Sequence, residues 1–364
     1  MLYGEKIRVG FVGLPSSGKT TIFNLLCKTS AEVAPYPFTT KSKNQGIMIM
    51  YEPRAEIIGK ILKSSEIKYP AVEIVDVAGL IKGAHEGLGL GNEFLSYIRP
   101  LDIVAYVLRF LKSVPHVEGE DNLKRDFEIL RYEISMSDLE VLSRREEKIK
   151  KLASVGQKDA EEILHVLEKI KKAIEQFAQN GEFKIDFEKE KEKKIAEEEI
   201  KSLQLITAKP YFIIINTDLG KDQWNKLTKE LNRKELNRAD ILICDAMSEF
   251  DLTEDEVKEF GITPLRQILT DFIKKTMDLV IFFTGFEGKE LRSWIVRKGT
   301  RVFEAAGMIH SDMQKGFISA EIVNFQEYKN CKSDAEAYSK GIFKVVGRDY
   351  IIQDGDLIRI KFKV

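Results

Sequence analysis

The first part of the chain alternates short apolar runs with stretches whose apolar residues recur at helical spacing. This alternation is typical of a parallel sheet in which helices connect the strands. Residues 7–12 predict a buried strand, and residues 19–27 predict the helix that follows it. Five other apolar runs predict further strands, at residues 46–51, 71–76, 103–108, 211–215 and 241–244. The pattern therefore predicts an α/β unit.

Between residues 122 and 205 the pattern changes to two long helical runs. In the first run, the apolar residues at helical spacing are Phe127, Leu130, Ile134, Val141, Ile149 and Leu152. In the second they follow alternating steps of four and three, as in a coiled coil, at Ile163, Leu167, Ile170, Ile174 and Phe177. Gly156 separates the two runs, and Asn180-Gly181 ends the second. We expect an inserted antiparallel helical pair, which serves either as a docking arm or as a structural insertion.

A run of charges with mixed sign follows the second helix, at residues 188–199 (EKEKEKKIAEEE), and predicts a solvated helix face. Residues 263–276 predict a helix that closes the α/β unit. Strands are then predicted at 280–284, 316–323, 350–352 and 357–362, with one helix near 301–308. This last segment fits a compact α+β domain of about 85 residues. We therefore predict three units: residues 1–121 with 206–277, residues 122–205, and residues 278–364.

Composition narrows the class of protein only slightly. The 57 basic and 58 acidic residues nearly cancel, so bulk charge does not indicate DNA or any other polyanionic partner. Cys27, Cys244 and Cys331 lack metal-ligand spacing and fit free thiols in a reducing compartment. The N-terminus does not resemble a signal peptide, and no apolar run approaches the roughly 20 residues that span a bilayer. We expect a cytoplasmic monomer with no membrane partner.

A phosphate-binding motif lies between the first predicted strand and its helix. Residues 13–20, GLPSSGKT, match the pattern G-x-x-x-x-G-K-[ST]. Glycines let backbone N–H groups approach phosphate oxygens, and the helix N-terminus adds a partial positive charge. Lys19 would reach the β- and γ-phosphates, and the Thr20 hydroxyl would bind Mg²⁺. The expected nucleotide-binding residues here are Pro15, Ser16, Ser17, Gly18, Lys19, Thr20 and Thr21.

Two further segments fit a metal-bound triphosphate. Asp76-Val77-Ala78-Gly79 ends a predicted strand, where Asp76 can hold Mg²⁺ through water and Gly79 can bond the γ-phosphate. In the segment at residues 35–40, PYPFTT, we expect Thr40 to complete the metal shell. A segment that becomes ordered around the γ-phosphate acts as a switch.

The expected base-recognition segment is IIINTDLG, residues 213–220. GTP-binding proteins carry Asn-Lys-x-Asp here, and the final carboxylate accepts hydrogen bonds from guanine. Asn216 is present, but Leu219 stands where that carboxylate belongs, and Asp218 lies one residue early. Adenine has neither the N1 proton nor the 2-amino group that would need the carboxylate. The segment therefore favours ATP over GTP, with Asn216 either binding the base or supporting the phosphate loop.

Several stretches together resemble the Obg-related, YchF-type ATPases. They are GLPSSGKTTIFNLL, YPFTT and DVAGLIKGAHEGLGLGNEFL, with GKELRSWIVRKGTRVFEAAGMIHSDMQKGFISAEIV and DYIIQDGDLIRIKF in the tail. The resemblance implies a Ras-like P-loop NTPase domain, a coiled-coil arm, a C-terminal β-grasp (TGS) domain, slow hydrolysis with a preference for ATP, and association with ribosomes. The chain departs from the family pattern at Leu219, which replaces a usual Glu, and at Thr39, which replaces a cysteine of bacterial members. Ser16 replaces an Asn that contributes to K⁺ binding in related proteins, which argues against K⁺ stimulation.

The sequence lacks the residue that usually orients the attacking water in Ras-like enzymes. Leu80 stands where Ras-like enzymes have the Gln that orients the attacking water. His85 and His116 are the two candidates to replace it, and the resemblance places a mobile catalytic histidine at His116. The expected catalytic residues are therefore His116, Lys19 and Gly79.

The sequence is compatible with three functions: a ribosome-associated ATPase switch, a GTPase of the same architecture, and a non-hydrolysing adaptor that senses nucleotide and binds RNA or protein.

Overall fold

The computed structural model describes residues 7–33, 40–42, 44–77, 97–113, 115–116, 119–220, 222–224, 227 and 240–363 of the 364-residue chain. Its secondary structure consists of two sheets, helices packed on them, and a separate group of three helices. None of the described helices is long and apolar enough to cross a membrane. All three cysteines are buried and free.

The first sheet has seven strands, in the spatial order β2-β3-β5-β1-β6-β7-β8. In the chain these strands are β1 (Arg8–Val12), β2 (Thr40–Ser42), β3 (Gln45–Ile49), β5 (Ala71–Asp76), β6 (Ile103–Phe110), β7 (Tyr211–Thr217) and β8 (Asp240–Cys244). From β5 to β8 the neighbours are parallel, whereas β2 and β3 are antiparallel additions. All six predicted strands are present. Their carboxyl ends meet at one edge, where open α/β sheets bind ligands.

Helices cover this sheet because its strands are apolar on both faces. They are α1 (Lys19–Val33), α2 (Pro53–Leu62), α6 (Ala246–Phe250), α7 (Glu254–Glu259) and α8 (Leu265–Thr276). Phe11 and Ile214 are fully buried on one face of the sheet, and Tyr106 and Ile213 on the other. The predicted helices at residues 19–27 and 263–276 correspond to α1 and α8.

The inserted segment forms three packed helices, α3 (Leu123–Ser154), α4 (Ala160–Asn180) and α5 (Glu190–Leu203). Gly156 and Gly181, with φ of 75° and 77°, end α3 and α4 where the sequence predicted. Their shared core contains Leu142, Ile149, Val166, Leu167, Ile170, Ile174 and Ala196. The prediction of a solvated helix face at residues 188–199 is confirmed in part: most of the run is exposed, but two acidic residues of α5 are buried between helices. Glu192 accepts a hydrogen bond from Lys169, and Glu199 accepts two from Arg145.

The tail forms a six-stranded sheet in the order β12-β11-β13-β9-β10-β4. Its strands are β4 (Ile67–Lys68), β9 (Leu279–Thr284), β10 (Leu291–Arg297), β11 (Phe317–Asn324), β12 (Lys344–Val346) and β13 (Asp356–Phe362). Its helices are α9 (Val302–Ile309), α10 (Ser311–Lys315), α11 (Phe325–Tyr328) and α12 (Asp334–Ser339). The strand predicted at 350–352 is absent as such: Ile351 makes only an isolated bridge to Arg301.

The two sheets share a hydrophobic core. One cluster of buried side chains runs from Val9 in β1 through Leu269 in α8 to Leu357 in β13. The edge strand β4 comes from the first part of the chain and pairs in parallel with β10 of the tail. The tail is thus packed directly on the α/β unit.

Candidate nucleotide-binding site

At two positions in the loop between β1 and α1, there is room only for a glycine. A Cβ at Gly13 would lie 2.3 Å from the carbonyl oxygen of Val107, and one at Gly18 would lie 2.1 Å from Nδ2 of Asn216. Gly18 also has a φ of 87°, in the left-handed region. The loop is therefore tightly packed against β6 and β7.

Lys19 begins α1 and turns its ammonium group back into the loop. Nζ donates to the carbonyl oxygens of Gly13 and Leu14, both at 2.9 Å. Burial lowers the pKa of Lys19 to about 8, an effect that Asp76 partly opposes. Nζ also donates to the Ser17 hydroxyl at 3.5 Å, so its hydrogen-bond partners among the described residues are all neutral. A buried cation with neutral partners is well placed to bind an anion.

The Thr20 hydroxyl and the Asp76 carboxylate lie side by side and provide oxygen ligands of the kind that hard divalent cations prefer. The Thr20 hydroxyl donates to Oδ2 of Asp76 at 2.6 Å, while Oδ1 of Asp76 is buried without a hydrogen-bond partner among the described residues. Burial raises the pKa of Asp76, against the effects of Thr20 and Lys19. Mg²⁺ commonly takes one or two protein oxygens plus phosphate and water, so this donor set fits it. The described ranges contain no cluster of three or more His, Cys, Asp or Glu side chains that could hold a metal alone.

Asn216 supports the phosphate loop from the end of β7. Its Nδ2 donates to the carbonyl oxygen of Ser17 at 3.3 Å, and its Oδ1 accepts from the backbone N–H of Ala246 at 3.2 Å. Of the two roles that the sequence left open for Asn216, the structure shows the support of the loop. Ala246 was not identified from the sequence as part of the site. Its position two residues after the predicted strand at 241–244, at the carboxyl edge of the sheet, could have indicated it.

Asp218 and Leu219, the other two expected base-binding residues, make protein contacts. The Asp218 carboxylate accepts from the backbone N–H groups of Lys112 and Ser113, at 3.0 and 2.9 Å. Its pKa is lowered: burial opposes ionisation, but these hydrogen bonds outweigh it. Leu219 packs on the apolar cluster beneath the sheet edge and accepts, through its carbonyl, a bond from Trp224. Both oxygens of Asp218 are thus already engaged with the 111–113 segment.

His116 lies in the segment after β6, and its side chain is only 1% exposed. Its Nε2 is 2.7 Å from Oδ2 of Asp126, and its Nδ1 is 3.2 Å from a guanidinium nitrogen of Arg125. Because a guanidinium only donates, Nδ1 must accept, and Nε2–H then donates to Asp126. The mobile histidine implied by the family resemblance is enclosed between two residues at the start of α3 here.

The other predicted site residues differ in their exposure and position. Ser16 is exposed, and Pro15 and Thr21 are half-buried on either side of the loop. Thr40 begins β2 and pairs with Gly46 at the sheet edge. Gly79, and with it Thr39, Leu80 and His85, lies outside the described residues.

Two family models match this chain. Residues 8–143 match the model described as 50S ribosome-binding GTPase, in the part that carries β1, the phosphate loop and β6. Residues 279–363 match YchF-GTPase_C, described as a protein of unknown function (DUF933).

Full-length relatives and a solved structure agree with these matches. A Mycoplasma genitalium protein named Ribosome-binding ATPase YchF is 35% identical over 376 residues, covering 98% of this chain and 100% of that protein. The protein of the same name from Escherichia coli O157:H7 is 33% identical, covering 98% and 99%. The structure of the Schizosaccharomyces pombe YchF GTPase superposes with a TM-score of 0.82 at 26% identity, covering 99% of both chains. This chain belongs to the YchF family of P-loop GTPases.

Proposed function

We propose that the protein is a Mg²⁺-dependent nucleotide switch that binds and slowly hydrolyses ATP and associates with ribosomes. The arrangement of Lys19, Thr20 and Asp76 supports this most directly. It combines a buried cation held by neutral carbonyl and hydroxyl groups with a hydroxyl–carboxylate pair whose second carboxylate oxygen lacks a partner among the described residues. A triphosphate with its magnesium ion supplies the missing partner of each. The relatives named Ribosome-binding ATPase support the partner and the reaction.

In the proposed complex, the backbone of residues 13–18 and the side chain of Lys19 bind the β- and γ-phosphates. The remaining loop residues Pro15, Ser16, Ser17, Gly18 and Thr21 surround the phosphates. Thr20 and Asp76 hold Mg²⁺, with Thr40 completing the shell and Gly79 bonding the γ-phosphate. A magnesium ion held there would supply positive charge to neutralise the phosphate oxygens.

The base preference follows from which polar groups remain available beside the base. The side chain of Asn216 is shared between Ser17 and Ala246, both oxygens of Asp218 are engaged, and Leu219 is apolar. Guanine would bury its N1–H and 2-amino donors without an acceptor, at a cost of about 1–3 kcal/mol. Adenine avoids this cost. GTP hydrolysis is the second candidate, because the S. pombe relative is titled a GTPase.

His116 is proposed to orient the attacking water in place of the missing Gln. Its Nδ1 is the acceptor that a water molecule needs, but Arg125 occupies it in this structure. The imidazole must therefore exchange Arg125 for water before hydrolysis, which accounts for slow turnover. Asp126, bonded to Nε2, fixes the tautomer that leaves Nδ1 as an acceptor.

The other two units are proposed to mediate the partner contact. We assign residues 1–121 with 206–277 to the nucleotide-binding unit, residues 122–205 to a coiled-coil-like arm, and residues 278–364 to a TGS-type β-grasp domain. Nucleotide exchange at the P-loop then changes the affinity of a cytoplasmic monomer for the ribosome.

Calorimetric titration with ATP, GTP and their diphosphates, with and without Mg²⁺, tests this proposal. We expect Mg-ATP to bind at least about tenfold more tightly than Mg-GTP. Turnover is measured with and without purified ribosomes. Thr20→Val removes the proposed metal ligand at matched size and should abolish the Mg²⁺ dependence of binding. Tighter binding of GTP would favour the GTPase.

A His116→Ala variant separates the enzyme from a non-hydrolysing adaptor. The enzyme should lose most of its turnover, down to a measurable residual rate, while keeping nucleotide affinity. An adaptor would show no turnover in the wild type and the same ribosome binding in both proteins.

A further inference from the structure

Arg109, near the end of β6, carries a guanidinium group that is almost fully buried at the edge of the proposed site. The residue is 1% exposed and is among the largest fully buried side chains in the described part of the protein. Nε donates to Asp121 at 2.9 Å, and NH2 donates to the carbonyl oxygen of Leu111 at 3.1 Å. NH1 donates to the carbonyl oxygens of Ser16 and Pro115, at 3.2 and 3.0 Å.

The ion pair with Asp121 organises the segment that follows β6. A buried guanidinium is a permanent cation and requires a carboxylate nearby. Asp121 provides it through Oδ1, while its Oδ2 accepts from the backbone N–H of Leu111. The two ends of the segment between Leu111 and Asp121 are thereby held together around one charged group.

The NH1 nitrogen joins the phosphate loop to that segment. Ser16 lies at the tip of the loop in the left-handed region, with a φ of 61°. Pro115 immediately precedes His116, so its carbonyl group belongs to the peptide that carries the histidine. A shift of the Ser16 peptide would change the geometry of the same nitrogen that holds the Pro115 peptide.

We infer that Arg109 is a positioning residue that couples occupancy of the phosphate loop to the placement of His116. The inference rests on the proposed ATPase function, because it gives Arg109 its effect through the proposed catalytic histidine. A structural role alone would account for the pair with Asp121. It would not require the same nitrogen to bond both Ser16 and Pro115, which lie in the phosphate loop and in the segment that carries His116.

Steady-state kinetics of Arg109→Gln provide the first test. Gln keeps a donor but loses the charge and the fork of N–H groups. We expect kcat for Mg-ATP to fall about tenfold while KM changes less than twofold. In a His116→Ala background the same substitution should have no further effect, because the residue it acts through is gone. An equal fold-loss in both backgrounds, or a change confined to KM, would overturn the inference.

A spectroscopic readout keeps the test independent of turnover. Wild-type protein labelled at histidine is titrated with a non-hydrolysable ATP analogue, and the imidazole resonances of His116 are followed by NMR. We expect nucleotide to shift them in the wild type and to shift them by less than half as much in Arg109→Gln and Asp121→Asn. Equal shifts in wild type and variants contradict the coupling. Wild type that binds nucleotide without turnover refutes the proposed ATPase, and the resonances still decide the role of Arg109.

Arg266→Gln is the matched control for loss of a buried guanidinium. Arg266 is also buried, pairs with Glu254, and donates to the carbonyl oxygen of Ile49. We expect Arg266→Gln to lower thermal stability about as much as Arg109→Gln does. It should leave the nucleotide-induced shift of the His116 resonances unchanged. If Arg266→Gln reduced the shift as Arg109→Gln does, general destabilisation would explain the effect and the inference would fail.

Discussion

At the scale of single residues, the ammonium group of Lys19 makes stability and nucleotide affinity depend on pH. Burial lowers its pKa from 10.5 to about 8, with Asp76 acting in the opposite direction. Between these two values the unfolded chain binds more protons at this group than the folded protein does. The Lys19 contribution to the free energy of unfolding therefore increases from pH 8 to 10.5, and it is lost as pH falls through about 8. Nucleotide binding requires the charged form, so affinity shows the opposite trend.

We predict that affinity for Mg-ATP falls by about twofold from pH 7 to 8 and then more steeply, by no more than about tenfold per pH unit. Above pH 8, binding should take up a proton. Calorimetric titrations in two buffers of different ionisation enthalpy measure both quantities. Lys19→Met is the control for folding, because its unfolding free energy should lack the added increase above pH 8. Proton release on binding, or the same stability slope in Lys19→Met, would contradict this assignment.

Substitution of Leu219 should change the base preference, whereas substitution of its neighbour Asp218 should not. Leu219→Asp places a carboxylate at the position that guanine needs, and we expect the ratio of GTP to ATP affinity to rise about tenfold. Asp218→Asn should leave that ratio unchanged, because both oxygens of Asp218 already accept backbone hydrogen bonds from residues 112 and 113. Competition binding with labelled nucleotides measures both variants. A changed ratio in Asp218→Asn would show that this side chain contacts the base.

At the scale of elements, prediction from sequence succeeded where local apolar runs decide the structure. The six strands predicted for the seven-stranded first sheet are apolar runs, and each is present within a few residues of its predicted bounds, whereas the edge strand β2 was not predicted. β10 was missed because polar residues interrupt LRSWIVR, and the two-residue β4 exists only through its pairing with β10. At the site, the phosphate-loop residues share one motif and were predicted. The contacts of Ser16 with Arg109 and of Ser17 with Asn216 join residues 93 and 199 positions apart, which no local pattern reports.

An ion pair holds the helix α5 against α3, although the sequence of α5 is mostly charged. Glu199 is buried against α3, where it accepts two hydrogen bonds from Arg145. We predict that Glu199→Ala lowers the free energy of unfolding by about 1–2 kcal/mol, through the partly buried Arg145 left unpaired. The exposed neighbour Glu198→Ala should change it by less than about 0.5 kcal/mol. Urea denaturation of both variants measures the difference, and equal effects would show that the ion pair is not stabilising.

At the scale of the whole molecule, the tail and the α/β unit are joined by a shared core and by charge. Arg54 at the start of α2 donates to Glu52 and to Asp354 in the turn before β13. Asp354 also accepts from the backbone N–H of Ile281 in β9, so the ion pair reaches the centre of the tail sheet. Arg54 additionally lies 5.7 Å from the ring centroid of Phe283. Opening the tail therefore requires breaking both this network and the apolar core.

We predict that nucleotide bound at the phosphate loop stabilises the distant tail. Ligand that binds only the folded state adds about 2.7 kcal/mol at a concentration a hundred times its Kd, and a shared core transmits this gain to every element that unfolds with it. Hydrogen exchange of the amides in β9, β11 and β13 should therefore slow when Mg-ATP is added. In Arg54→Gln the protection of these strands should decrease, because Asp354 loses its bidentate partner. Unchanged tail exchange in the wild type, alongside protected amides in β1 and β6, would mean that the tail unfolds independently and cannot report the nucleotide state.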